Sequence, residues 1–508
     1  MNKLPIFQKI HSGGIRFDRE NDTTHRILLP IFILGIFIIF VLMSLRLFQL
    51  TIVKGNYYRR LSEQNRIREI FIEPQRGNII DRKGFVMVKN IAANIQTNPN
   101  SVNKNDERIN SKRIYEAPEA IAPLIGYRQT ADPQDFKNDL CTNKLQLGDK
   151  IGKKGIEKLY ECQLRGKYGK KLVEVDAKGN YIKTLTVLTP INGDTIQLSI
   201  DMELQKKAYE LIKGKKAVVV AFKPQTGEIL AFASSPSYSP QAFEDQDNIQ
   251  INDYLHDPFN PMFNRVSEGV YPPGSIFKLV VASAALEEKA INEKTQFDDK
   301  GITMAGAQSF GNWYFLQYGK TEGLVDIVKA IKRSNDSFFY KTGEAVGPEK
   351  IKKWADIFGY GKETFFGLDE SEGLIPSPFW KMETLKDRWY TGDTYNFSIG
   401  QGYVSATPLQ TAYASAVFAN KGYLCQPKLL KNEQPNCKKL PISQKTFDLI
   451  HEGMKEACTT GGTGWPLFDF KVNNKPIQVA CKTGTAESHA KSGIPHAWIS
   501  AFAPFDSP

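Results

Sequence analysis

Residues 269–288 read GVYPPGSIFKLVVASAALEE. The run from Leu279 to Glu288 is rich in Leu, Ala and Glu, so the stretch predicts a helix opened by Ser275 with Lys278 in its first turn. Side chains three apart on a helix share a face. A serine hydroxyl is a weak nucleophile at neutral pH and needs a base within hydrogen-bond reach. The first N–H groups of a helix have no intrahelical acceptor and can receive developing negative charge. Ser-x-x-Lys alone arises by chance in long chains, so the pair carries weight only if other stretches complete it.

Two stretches qualify. Residues 328–340, VKAIKRSNDSFFY, contain Ser334-Asn335-Asp336, and residues 479–487, VACKTGTAE, contain Lys482-Thr483-Gly484. Ser334 and Asp336 also suit a purely structural role as helix caps.

Around these stretches the pattern is α/β. Asp201 caps a predicted helix to Ile212, with Leu204, Ala208, Leu211 and Ile212 on one face and Gly214 as its stop. Ala217–Phe222 and Ile229–Ser234 flank a turn and read as a hairpin of buried strands. Helical material dominates from 275 to about 460, followed by strands at 477–486 and 496–503. Upstream, residues 56–68 read as a helix and 70–89 and 172–200 as short strands broken by turns. Residues 99–150 read as polar loop.

The N-terminus bears on the compartment. Residues 27–45, ILLPIFILGIFIIFVLMSL, hold 19 residues without a charge, enough to span a ~30 Å hydrocarbon core. The run is long for a signal peptide and lacks a small-residue cleavage pattern, so it reads as an uncleaved anchor. The charge of +11 favours anionic surroundings. No zinc-finger spacing, basic zipper or RNA-binding signature is present, which excludes the usual nucleic-acid modules. Six cysteines, at 141, 162, 425, 437, 458 and 481, show no metal-site spacing. Cys425 and Cys437 could pair, but single buried thiols are the expectation. His489 and His496 lack a ligand partner, and Arg76 with Asp81 is read as a structural ion pair.

Pro-Gly-Ser275-x-x-Lys278, Ser334-Asn335-Asp336 and Lys482-Thr483-Gly484, in this order, resemble the three motifs of penicillin-binding proteins and serine β-lactamases. RIREIFIEPQRGNIIDRKG (66–84) and GKKGIEKLYECQLRGKYG (152–169) resemble the pedestal of class B penicillin-binding proteins. WYTGDTYNFSIGQGYVSATPLQ (389–410) is similar to the elongation-type transpeptidase, the penicillin-binding protein 2 type. Asp336, where division-type enzymes usually carry Asn, agrees. Ile276 departs from the threonine common after the nucleophile, a change expected to affect packing only.

The resemblance implies a serine β-lactamase-like α/β transpeptidase domain with a helical insert, preceded by a strand-rich pedestal and one transmembrane helix. The expected order is a cytoplasmic tail (1–26), the span (27–45), a dimerisation-type pedestal (46–195) and the transpeptidase domain (196–508). In the fold resembled, one more strand and a long helix follow residue 508, so the expectation is a truncated and poorly stable domain.

The implied roles are specific. Ser275 would attack the carbonyl between the terminal D-alanines of a stem peptide, with Lys278 as base. Ser334 would pass a proton to the leaving amine, and Asp336 would hold the substrate amide or the lysine pair. Lys482, Thr483 and Thr485 would receive the substrate carboxylate, and Gly484 would leave room for substrate backbone. The N–H groups of Ser275 and Thr485 would form the oxyanion hole. No cofactor and no metal is implied. The implied partners are stem peptides, β-lactams and the membrane glycan polymerase of the elongation machinery. The implied location is the cell (inner) membrane, with the catalytic domain outside. An anchored β-lactamase or β-lactam sensor, and a non-catalytic wall scaffold, are the alternatives.

Overall fold

The apolar N-terminal run becomes the α-helix Asp22–Phe48, and a span of 25 residues, Leu29–Val53, is long and apolar enough to cross a membrane. Its side chains are exposed around the whole circumference, as lipid-facing residues would be. The computed structural model describes residues 22–92, 111–176, 178–487 and 493–508, which form two compact units. His489 and most of the charged N-terminal tail lie outside the described residues.

The first unit carries this helix, the helix Gly55–Arg66 and a three-stranded sheet. The sheet places Gly169–Val175 between Ile67–Ile72 and Tyr181–Leu188. Val173 and Val175 are buried at alternate positions, whereas Tyr181–Leu188 is exposed throughout.

The second unit takes in residues 72–92, 111–169 and 189–508. A four-stranded sheet in the order Ser111–Tyr115, Val86–Ala92, Ile79–Ile80, Ile196–Gln197 closes with a parallel pair. Ile121, Leu124 and Ile125, from the helix Pro118–Ile125, share one core with Ile229, Phe232 and Leu409. The expectation of loop over 99–150 is therefore corrected for its described part. The elements there are three to eight residues long, too short for a periodicity to register, and Pro123 sits inside the helix.

Arg76 and Asp81 do not pair. Arg76 reaches Glu157 and Glu161, both at 2.7 Å, because its planar fork fits two carboxylates. Asp81 instead accepts from the amides of Lys83, Phe85 and Met202, closing a turn. The six cysteines are not single thiols either. Cys141–Cys162, Cys425–Cys437 and Cys458–Cys481 are disulfides, with partners 12 to 23 residues apart and brought together only by the fold.

Asp201 caps the helix Met202–Ile212 as expected, accepting from the amides of Glu203 and Leu204. Its buried face is Met202, Gln205, Ala208, Tyr209 and Ile212, and Leu204 and Leu211 are exposed. The face is rotated because Gln205 is buried as a bridge. Its amide donates to the carbonyls of Ala120 and Phe232 and accepts from the Phe232 amide. Ala217–Lys223 and Glu228–Ser235 form the antiparallel hairpin. Ala480–Ala486 pairs antiparallel with His496–Phe502, with Lys482 opposite Ser500. The two pairs are separate two-stranded ladders.

Between them lies the helical block, centred on Lys278–Glu287. Eight of its ten residues are buried, which explains a sequence apolar on every side. Val280 and Val281 pack in one core with Phe338, Phe339, Trp354, Phe418 and Ile450, drawn from four surrounding helices.

Candidate active site

Ser275 sits in a 3-10 turn, Gly274–Ile276, and Lys278 is the first residue of the α-helix that follows. The turn is held at very short range. Gly274 has φ +56°, its amide donates to the Gly400 carbonyl at 2.9 Å, and a Cβ there would lie 2.9 Å from the Thr485 carbonyl oxygen. At Gly484 a Cβ would come within 3.2 Å of the Pro273 carbonyl and of Trp498 Cβ. The missing side chain thus lets the strand pack closely against the turn that bears Ser275. The Trp498 indole fastens the same place by donating to the Pro272 carbonyl at 3.0 Å.

Ser334 ends the helix Ile327–Arg333 in the left-handed conformation, φ 53° and ψ 37°. That conformation is uncommon for a residue with a side chain, and it turns the chain sharply into the next helix, Asp336–Val346. The cap of that helix is Asn335, whose side chain accepts from the Phe338 amide at 2.8 Å. Ser334 thus caps the first helix through its backbone and Asn335 the second through its side chain, which leaves the side chains of Ser334 and Asp336 for other contacts.

Those contacts are with the two lysines. Lys278 Nζ donates to Asp336 Oδ1 at 2.7 Å, to the Ser334 carbonyl at 2.8 Å and to Ser334 Oγ at 3.4 Å. Lys482 Nζ donates to Ser334 Oγ and to the Thr483 carbonyl, both at 2.8 Å. Both lysine side chains are fully buried. Burial pushes the Lys278 amine below its ordinary value, and Asp336 acts the other way. Lys482 is driven well below its ordinary value, first by burial and then by the Lys278 charge, with Asp336 opposing. The like-charge effect expected at Lys278 is therefore felt at Lys482, which has no carboxylate in hydrogen-bond contact.

Ser334 Oγ accepts from both amines, and its own hydrogen remains available for a further acceptor. Asp336 is engaged on both oxygens. Oδ1 takes Lys278, and Oδ2 takes the Trp313 amide at 3.0 Å. Of the two roles read for it, holding a lysine is the one its contacts match.

On the strand Ala480–Ala486, Thr483 is half-buried and Thr485 exposed. The Thr483 hydroxyl bonds the Thr463 hydroxyl at 2.7 Å. The Cys458–Cys481 disulfide ties the end of the helix Gln444–Ala457 to this strand, one residue before Lys482. Gln401 accepts from the Glu487 amide at 3.4 Å, so the segment around 400 touches both the nucleophile turn and the strand end. The His496 ring lies 5.2 Å from that of Tyr271 at a tilt of 59°, and burial holds its imidazole below the ordinary value.

Sequence reading missed Asn312, Trp313, Thr463 and Asp299. Asn312 accepts from the Asp336 amide and the Trp313 amide donates to the Asp336 carboxylate, each at 3.0 Å. No local signal marks these residues, because each has its partner in one of the motifs 20 or more residues away. Among the described residues no group of three metal-ligating side chains converges.

Comparison with known proteins bears on the whole chain. Residues 217–508 match the penicillin binding protein transpeptidase domain, and residues 92–198 match the penicillin-binding protein dimerisation domain. The peptidoglycan D,D-transpeptidase MrdA of Salmonella typhimurium is 30% identical over 590 residues, covering 97% of this chain and 92% of that protein. Penicillin-binding protein PBP2 of Helicobacter pylori, solved in complex with MreC, superposes with a TM-score of 0.74 at 28% identity, over 87% of this chain and 93% of that one. A peptidoglycan synthase complex, described as coordinating polymerization and crosslinking, contains a chain with a TM-score of 0.73 at 26% identity, over 96% of this chain and 93% of that one.

Proposed function

The chain belongs to the penicillin-binding protein transpeptidase family, and from that premise we propose that it cross-links peptidoglycan as a serine D,D-transpeptidase of the elongation type, serving cell elongation and shape. The observation that carries the chemistry is the meeting of two buried lysines on Ser334 Oγ, beside the turn that bears Ser275.

Lys278, lowered by burial, takes the proton of Ser275 as its oxygen attacks the carbonyl between the terminal D-alanines of a stem peptide. The C–O bond forms, and charge collects on the former carbonyl oxygen. The amides of Ser275 and Thr485 receive that charge. The contact of Gly274 with the Thr485 carbonyl brings the two segments together, and such a donor is worth about 2.7 to 4 kcal/mol. Ser334 relays a proton to the nitrogen of D-alanine as the C–N bond breaks. The ester on Ser275 is then attacked by an amine of a neighbouring stem peptide, which restores the serine and completes the cross-link. Lys482, Thr483 and Thr485 hold the terminal carboxylate of the donor, and Gly484 supports them by letting the strand approach the turn. A β-lactam acylates Ser275 in place of the peptide.

The domain order is a cytoplasmic tail to residue 26, the anchor, a pedestal to about 195 and the catalytic domain. The anchor crosses the cell membrane, the inner one, once, and the catalytic domain lies outside, where the substrate is. The partner is a membrane glycan polymerase, supported by the likeness to a chain of a complex that coordinates polymerization with crosslinking. Labelling of the membrane-bound protein with a fluorescent penicillin tests this reading. One stable adduct on Ser275, absent in Ser275→Ala, is expected. Rapid turnover of the penicillin would point to a β-lactamase, and an adduct elsewhere would refute the site.

A further inference from the structure

Behind the Ser334–Asp336 turn lies a carboxylate that none of the three motifs contains. Asp299, at the end of the strand Phe297–Asp299, is 3% exposed and has no ion-pair partner among the described residues. It accepts five hydrogen bonds. Gly301 N (2.9 Å) and Ser337 Oγ (2.9 Å) reach Oδ1, and Asn312 Nδ2 (2.7 Å), Asn335 Nδ2 (2.8 Å) and Glu322 N (3.2 Å) reach Oδ2. A carboxylate buried without a cation is costly unless its lone pairs are filled, and here they are. All five donors are neutral and point inward, so an acceptor on both branches is required. An asparagine would present an NH2 group to two of them.

The network leads to the reacting groups. By engaging Asn312 Nδ2, Asp299 fixes that amide so that its Oδ1 faces the Asp336 amide, and it brings Trp313 N to Asp336 Oδ2. By engaging Asn335, it holds the middle of the turn in which Ser334 takes its left-handed conformation. Asp336 then meets Lys278 with its other oxygen.

We propose that Asp299 is a positioning residue for the transpeptidase reaction: through Asn312 and Asn335 it fixes the Ser334–Asp336 turn, and so sets the contacts of Ser334 and Asp336 with Lys278. The inference rests on the transpeptidase reading of the preceding subsection. Asp299 touches neither Ser275 nor either lysine, so its influence on the reaction is carried by the turn.

The groups around Lys278 that bear on its protonation are Asp336, Lys482 on the motif strand, and Tyr340, whose hydroxyl is raised by burial and then by Asp336. Asp336 holds the Lys278 amine up, so a loosened Asp336 lets it fall. The test is the rate of acylation by a fluorescent penicillin as a function of pH, on the full chain in detergent. Rates are counted per titratable site, so that misfolded molecules lower the amplitude and not the rate. Asp299→Asn is expected to slow the plateau by roughly tenfold or more and to move the midpoint of the rising limb to lower pH. Asn312→Ala should move both in the same direction by less. A plateau and midpoint equal to wild type, with only the amplitude or melting temperature reduced, would overturn the proposal by making Asp299 a structural residue. If Asp299→Asn yields no titratable sites, Asn312→Ala decides by the same two quantities. Failure of the wild-type chain to label on Ser275 would instead strike the transpeptidase reading.

Discussion

Residues 76–165 and the Ser275 site bury ionic groups to the same depth with different partners. In the first region Arg76, Arg113, Arg128 and Arg165 face Glu157, Glu161, Glu244 and Asp139, each within 2.9 Å of a partner. Burial alone would raise Glu157, but Arg113, Arg76 and Arg128 outweigh it and hold the carboxyl at about 2. Burial likewise acts to lower Arg76, and Glu161 with Glu157 raises it instead. Opposed charges offset the cost of burial for Arg76 and Glu157, while Arg113 is still lowered by burial, and the cluster serves as scaffold. At the active site two lysines share one carboxylate, and both amines fall below their ordinary values. Lys482, with no carboxylate in hydrogen-bond contact among the described residues, is the more strongly lowered of the two.

The sharpest break in this comparison is at the base. Lys278→Ala is expected to slow penicillin acylation by about 10⁴-fold, roughly 5.5 kcal/mol of barrier, with the melting transition still cooperative. Stopped-flow labelling reads it, and near-wild-type acylation would remove Lys278 as base.

Glu157→Gln breaks the matched region. It removes the carboxylate partner of Arg113 and leaves Arg76 with Glu161 alone, and should cost about 3 to 5 kcal/mol of stability, read as a lower urea midpoint, while the acylation rate per folded molecule is unchanged. The pH dependence of the wild type follows the same group. The folded carboxyl lies below its ordinary value of 4.5, so the unfolded chain binds the proton first on acidification. Stability is full above about 4.5 and is lost as pH falls toward 2.

Lys482→Met should act with the opposite sign. Removing an unmatched buried cation is expected to raise stability by about 1 to 2 kcal/mol while abolishing transpeptidation, and a lower melting temperature would show that the amine is matched after all. The smallest effect is reserved for Thr463→Val. Loss of its bond to Thr483 should weaken peptide-substrate recognition by about 1 kcal/mol, visible as a higher KM at constant kcat.

How much of this was legible in the sequence depended on range. The helix capped by Asp201, the hairpin 217–235 and the strand carrying Lys482 are set by neighbours a few residues away, and their positions were read correctly. The buried face of the 202–212 helix was read wrongly because hydrophobicity ranks Leu204 above Gln205. The fold buries Gln205, where its amide joins the backbone at 120 to that at 232. Short elements between 111 and 152 escaped because three to eight residues do not complete a periodic pattern.

At the site, the sequence by itself determined the residue types and their spacing: a serine and a lysine one turn apart at a helix start, a second serine, and a second lysine on a strand. It also determined the apolar span at the N-terminus, since length and the absence of charge are properties of the chain alone. Tertiary structure decided which lysine has the carboxylate partner and that Gly484 packs against the turn bearing Ser275. It also decided the pairing of all six cysteines and the seating of the turn on Asp299. These depend on desolvation and on contacts between residues 12 or more positions apart, and neither exists until the chain is packed.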